Sequence, residues 1–335
     1  MAAAKTPTKS KPVTLKRRNK WTKDDTELTL LGLPAAVWFA VFCYLPMFGA
    51  IIAFKEFRID RNGFFSSVIN SKWVGFDNFK YFFGLADFGA LTRNTLAYNI
   101  VFIIIDRVLP ITFAIMMSNI YSKRKAKVYQ TLMVMPNFMS WVICAYFVFA
   151  FLNTDKGLLN KLIVVLGGQK IDWYLTPKYW PFILTFLHIW KGVGYGMIVY
   201  LATIAGLDTS MYEAAVIDGA SKWQQAIYIT LPGLKTMLVL MFIQAVGGIF
   251  NSDFGLFYQA TRGANYPLYP VVANFDIKIY QMLTGGTIPL GKSSATSFFK
   301  SVISCVMVLS ANGIVRKIEP ESAMISVGGC EKWLN

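Results

Sequence analysis

The sequence predicts an all-α, polytopic membrane protein with six transmembrane helices, and three observations carry that prediction. Hydrophobic residues make up 55% of the 335 residues and charged residues only 15%, with a mean hydropathy of +0.46, outside ordinary soluble composition. Six apolar runs approach the roughly 20 residues that a helix needs to cross a hydrocarbon core about 30 Å thick. Basic residues gather before the first run and between the second and third, the bias expected of cytoplasmic flanks.

Residues 1–27 are polar and Lys-rich, contain Pro7 and Pro12, and read as a flexible basic cytoplasmic tail rather than a cleaved signal. The membrane domain, 28–318, follows. Its spans are expected at Leu28 to Phe54, Thr95 to Asn119, Val128 to Leu152, Trp180 to Ile204, Leu234 to Phe250 and Ala295 to Val315. None alternates polar with apolar residues, so helices rather than barrel strands satisfy the backbone in lipid. Lys123, Arg124, Lys125 and Lys127 place the second connection on the cytoplasmic side, and six spans starting inside also end inside, beside Arg316 and Lys317. Residues 319–335 form a cytoplasmic C-terminal tail. The outer segment from Asp60 to Asp87 is expected to form short surface helices, with Trp73, Phe76, Phe79, Tyr81 and Phe82 anchoring at the interface.

A formal net charge of +15 would invite a nucleic-acid partner in a soluble chain, but topology and anionic lipid explain a basic cytoplasmic face. Cys43, Cys144, Cys305 and Cys330 show no metal or disulfide spacing, and His188 is the only histidine, so neither a metal site nor a histidine-based catalytic set is expected. No Gly-rich phosphate loop ending in Gly-Lys-Ser or Gly-Lys-Thr is present. The chain is therefore not expected to be an enzyme.

The most informative stretch, Leu207 to Pro232, falls in the connection between spans four and five, on the cytoplasmic side. Asp208, Thr209 or Ser210 can cap a first helix that ends at Asp218 and Gly219; a second starts at Ser221 and runs to Leu231, with Pro232 at the junction with span five. Glu213-Ala214-Ala215, Gly219 four residues beyond the second Ala, and Ile229-Thr230-Leu231-Pro232 together resemble the signature of permease subunits in bacterial binding-protein-dependent ABC importers. Pro46 to Lys55, Trp73 to Phe79, Met135 to Trp141, Ile189 to Gly194 and Tyr212 to Ser221 are similar to the polysaccharide-type permeases of the carbohydrate-importer group. The likeness covers about residues 28–318, and Val271 to Asp276 departs from that pattern.

The resemblance implies a MetI-like permease fold in the bacterial cytoplasmic (inner) membrane. It also implies a second homologous permease subunit, two ATP-binding subunits and an extracellular or periplasmic solute-binding protein. No cofactor is expected on this chain; ATP and Mg would act in the partner ATPase. By the same likeness Glu213, Ala214, Ala215, Asp218, Gly219, Ala220, Leu231 and Pro232 would meet that ATPase, and the solute would be an oligosaccharide or polysaccharide fragment.

For the solute path the sequence offers polar residues at membrane depth: Arg107 in span two, Trp190, Lys191 and Tyr195 in span four, and Asn251 and Asp253 at the outer end of span five. Aromatics among them suit sugar faces and the cations suit acidic saccharides. Equally, these residues can brace a subunit interface or a kink at Gly192, Gly194 and Gly196. A secondary transporter, or an importer of the same class for a non-sugar solute, is the alternative reading.

Overall fold

The computed structural model describes residues 23–58, 60, 61, 63–286 and 288–318. Most of the N-terminal tail and all of the C-terminal tail lie outside the described residues. By contacts the chain divides into two units, Met1–Ile51 and Ile52–Asn335.

In the first unit α1, Lys23–Phe39, continues through a π-helical turn, Ala40–Tyr44, into the 3-10 segment Leu45–Phe54, so that helical structure runs unbroken over Lys23–Phe54. Leu31, Trp38, Phe42 and Phe48 are exposed, which suits a surface solvated by lipid.

The second unit opens on a short antiparallel pair, β1 (Lys55–Glu56) and β2 (Lys72–Trp73), with Lys55 opposite Trp73. The pair brackets α2, Phe64–Asn70, and is followed by α3, Asp77–Phe83. Asn78 Nδ2 fixes this hairpin by donating to the carbonyls of Ala53 (2.9 Å) and Lys55 (3.0 Å). Trp73 and Phe76 are exposed, in keeping with interfacial anchoring. Phe82 is not an anchor: it is fully buried, ringed by Phe88, Phe275 and Phe299, because α3 turns that face onto the C-terminal helices.

Helix α4, Phe88–Ser118, runs along α8, Trp180–Ala205. Between them in sequence come α5 (Lys123–Val134), a 3-10 turn (Met135–Phe138), α6 (Trp141–Leu152) and the outer α7 (Leu158–Val165). Expected span three is thus not one straight helix; its two parts meet at 97°. Pro136 has no N–H to continue the ladder, and Ser140 restarts it by accepting the Ile143 N–H at 3.3 Å. After α8 come α9 (Thr209–Ile217), α10 (Lys222–Gln225), a π turn (Ala226–Thr230), α11 (Leu231–Gly233) and α12 (Lys235–Gly247). A second bend, of 60° between Lys222–Gly233 and Lys235–Gly247, falls at Leu234, where expected span five begins. A π turn at Gly255–Gln259, then α13 (Tyr269–Val272), α14 (Phe275–Thr284) and α15 (Leu290–Ile318) complete the chain.

Among the described residues four helical stretches are long and apolar enough to span a membrane, and six spans result when each bent pair counts as one. The all-α, multi-span architecture therefore stands. Two helices start earlier than expected, α4 at Phe88 and α15 at Leu290, because polar turns extend them outside the apolar run.

One core cluster joins Tyr98, Trp180, Leu184 and Phe257; a second joins Ile111, Met197, Tyr200 and Leu234. At the N-terminal end of α4, Asp87 accepts hydrogen bonds from Lys278 Nζ (2.7 Å) and the Tyr269 hydroxyl (2.8 Å), tying α13 and α14 down. Burial pushes the Asp87 carboxyl up, but the bonds from Lys278 and Tyr269 outweigh it and hold the group below the usual carboxylate range.

Candidate functional site

The stretch from Leu207 to Pro232 folds as a projection built from its own local signals. Asp208 accepts the Ser210 N–H at 2.9 Å to start α9, and that bond holds its carboxyl below the usual carboxylate range. At the other end Ala220 N–H donates to the Ala215 carbonyl (2.8 Å) and Gly219 N–H to the Val216 carbonyl (3.1 Å), the paired bonds of a Schellman stop. Gly219 stands at φ +77°, where a side chain is strained, so glycine is required by the turn itself. Ser221 and Gln224 then form a reciprocal capping box: Gln224 N–H to Ser221 Oγ, 3.3 Å, and Ser221 N–H to Gln224 Oε1, 2.7 Å.

Pro232 cannot donate to the turn before it, and there the chain widens into the π turn Ala226–Thr230. The hydroxyls of Tyr212 and Thr230 lie 3.0 Å apart, and Thr230 also donates to the Gln225 carbonyl at 3.3 Å, so α9 is strutted against the π turn. Glu213, Ala214, Asp218, Gly219, Leu231 and Pro232 face outward, while Ala215 and Ala220 are half-buried. Exposed beside them are Ile217, Trp223 and Tyr228, with relative exposures of 86%, 74% and 75%. Large apolar side chains left exposed on a capped projection have the composition of a protein-contact surface.

The intramembrane candidates lie elsewhere and fall into two groups. Lys191 on α8 donates to the carbonyls of Asn137 (2.8 Å) and Pro136 (3.4 Å), filling the gap that the break in span three leaves in the ladder. Its ammonium also stands 5.3 Å from the Trp141 ring, and Trp141 Nε1 donates to Asp253 at 2.8 Å. Lys191 and Asp253 are therefore joined through Trp141, which the sequence marked only as the end of the stretch Met135 to Trp141. Two glycines make room for this arrangement. A Cβ at Gly194 would stand 1.9 Å from the Met133 carbonyl oxygen, and one at Gly255 would stand 2.1 Å from Trp141. Trp190 packs half-buried against the first core cluster, whereas Tyr195, Asn251 and Asp253 are exposed.

Arg107 belongs to a separate junction, donating to the Met241 carbonyl of α12 at 2.6 Å, with Nε buried and unpartnered among the described residues. Its neighbour Asp106 turns away to His188 Nε2, 3.0 Å distant, whose ring stacks on Phe102 with centroids 3.8 Å apart. His188 was legible only as an isolated histidine; a carboxylate at similar depth on another span was the one available signal for its partner. Among the described residues no cluster of His, Cys, Asp and Glu suited to a metal is found.

The bent spans and the Glu-Ala-Ala projection define a membrane permease of a binding-protein-dependent importer. Residues 110–322 match the family described as binding-protein-dependent transport system inner membrane component, and the chain belongs to that family. It is 33% identical to Protein LplB of Bacillus subtilis (strain 168) over 306 residues, covering 91% of each chain. It is 32% identical to the polygalacturonan/rhamnogalacturonan transport system permease protein YteP of the same organism over 295 residues, covering 88% of this chain and 89% of that one. The fold is similar to a chain in the crystal structure of a bacterial ABC transporter involved in the import of the acidic polysaccharide alginate, with a TM-score of 0.78 and 29% identity, covering 89% of this chain and 97% of that one. A second alginate transporter structure, in complex with an alginate pentasaccharide-bound periplasmic protein, matches at a TM-score of 0.77 and 29% identity, covering 88% and 96%. Family membership gives this chain the membrane role in an importer that also comprises an ATPase and a solute-binding protein, and leaves ATP hydrolysis to the ATPase.

Proposed function

We propose that this permease forms one half of a path for oligosaccharide fragments of a polysaccharide and pairs with a second, homologous permease above two ATP-binding subunits. The observation that carries the coupling half of this reading is the projection from Leu207 to Pro232. Glu213 is its charged contact, Gly219 its fixed turn, and Ile217 and Trp223 its exposed apolar surface for the ATPase cleft. The substrate class follows from similarity to permeases and transporters named for polysaccharides. Trp190, Tyr195, Asn251 and Asp253 border the path, and Lys191 and Arg107 hold its walls through the carbonyls of Asn137 and Met241.

The N-terminus, Lys123 to Lys127, the projection and the C-terminus share the cytoplasmic face of the inner membrane. The basic flanks support this orientation, as does the C-terminal end of α4 lying beside α9 and α10. The test is uptake into proteoliposomes holding the full complex and its solute-binding protein, across a panel of neutral and uronate-containing oligosaccharides. ATP-dependent entry of at least one class is expected. Entry of none, with a non-sugar solute transported instead, overturns the substrate reading. Labelling of Ser221→Cys from the side opposite to Lys125→Cys overturns the orientation.

A further inference from the structure

The ends of α4 and α8 meet α9 and α10 around a cavity of about 370 Å³ that neither the coupling contact nor the solute path uses. Its polar wall is built rather than incidental. Gln225 and Thr230 line it with relative exposures of 4% each. Gln225 Nε2 donates to the Ala220 carbonyl at 3.0 Å and Oε1 accepts Lys222 Nζ at 3.2 Å, while the Tyr212 hydroxyl meets Thr230 at 3.0 Å. Asn119 and Ser118 face them from the end of α4, and Ile204 closes the apolar side.

We infer that this cavity is a binding site for a hydroxy acid of monosaccharide size, its carboxylate on Lys222 and its hydroxyls on the Asn119, Gln225 and Tyr212 side. The volume lies near the lower end of small-molecule pockets, about 300–1,000 Å³, which admits a single sugar ring. Amides and hydroxyls both give and take hydrogen bonds, matching a polyol. Lys222 is the one cation among the lining residues, with no carboxylate opposing it and no Arg to fork onto a phosphate, so the site suits a single negative charge. A molecule lodged there props α9 and α10 against the span ends. It restrains the movement that the projection relays and acts as an inhibitor from the cytoplasmic side. Binding stands on the cavity alone; that the ligand is a monomer released from the imported polymer rests on the function proposed above.

The experiment uses the complete transporter. Radiolabelled galacturonate is measured by equilibrium dialysis, with glucose and glucose 6-phosphate as competitors, and each compound is then trapped on the ATPase side of proteoliposomes during uptake and ATP hydrolysis assays. Galacturonate is expected to bind more tightly than either competitor and to lower uptake and hydrolysis about fivefold or more, within the usual span of allosteric coupling. Lys222→Gln and Asn119→Leu should each weaken binding and inhibition together, compared as the ratio with and without ligand in each variant. No galacturonate binding by a hydrolysis-competent complex, or inhibition unchanged in both variants, overturns the site. Tighter binding of glucose or glucose 6-phosphate overturns the ligand class. Galacturonate binding that both variants weaken, in a complex that moves no saccharide, upholds the site and overturns the transport reading instead.

Discussion

The projection from Leu207 to Pro232 and the broken third span both interrupt helices with proline, yet only the third span draws on another helix to close the interruption. In the projection the helix ends are closed locally, by Asp208, by the Schellman bonds behind Gly219 and by the Ser221–Gln224 box. Within the third span, Ser140 and the Met139 N–H to Pro136 carbonyl bond close part of the break locally, but the Asn137 carbonyl is satisfied from another helix, by Lys191. A locally closed unit can move as a body without opening its own hydrogen bonds. The cross-braced break is fixed to its neighbours and resists such movement. The difference suits the projection to the coupling role, and the third span to the wall role, proposed above.

The largest effect should come from crowding the braced region. Gly194→Leu forces a side chain where even a Cβ stands 1.9 Å from the Met133 carbonyl oxygen, and overpacking costs about 1–3 kcal/mol or more. A markedly lower melting temperature and poor recovery of monodisperse protein in detergent are expected; wild-type stability would show that the third span is not clamped against α8. Next comes Gly219→Val in the projection. A β-carbon in the left-handed region costs about 1–2 kcal/mol, and branching adds to it, so α10 is re-aimed while the spans remain folded. Uptake should fall to background with little change in melting temperature, and retention of uptake would remove the turn from the coupling path.

A smaller loss is expected for Lys191→Met, which leaves the Asn137 carbonyl without its donor at about 1–3 kcal/mol. Because the ammonium braces backbone, uptake of neutral and uronate-containing sugars should decline by the same factor; a selective loss of uronates would return Lys191 to the path itself. The smallest effect concerns Asp87. Its folded carboxyl titrates below the ordinary value of 3.8, so the tether to Lys278 and Tyr269 contributes fully above the unfolded value and is lost as pH falls through the lower folded one. Hydrogen exchange in α13 and α14 should therefore stay flat from neutral pH to about 4 and rise only below it, after correction for intrinsic rates. Faster exchange already near pH 6 would mean that the Asp87 tether does not hold those helices.

What was legible in the sequence follows the same division. Helix count, the caps at Asp208 and Ser221, the stop at Gly219 and the junction at Pro232 depend on neighbours within a few residues, and the structure places them as read. The bend in span three was missed because hydropathy counts apolar residues and is blind to where Pro136 opens the ladder. Partners of Lys191, Arg107 and Asp106 were not legible, since each is supplied by a segment dozens of residues away and those of Lys191 and Arg107 are backbone carbonyls. Phe82 was misplaced for a related reason: an aromatic in a short outer helix suits the interface or the core equally until the opposing Phe275 and Phe299 are known.

The proposed division of labour has the projection carry ATPase motion and leaves the wall residues out of it. It is tested most directly by measuring solute-stimulated ATP hydrolysis and uptake side by side in proteoliposomes for Glu213→Ala and Tyr195→Ala, with subunit content confirmed. Glu213→Ala is expected to lower ATPase association or stimulated hydrolysis along with uptake, whereas Tyr195→Ala keeps ATPase association and shifts the solute concentration needed for half-maximal uptake. Normal association and stimulated hydrolysis in Glu213→Ala, or loss of ATPase association in Tyr195→Ala, would contradict it.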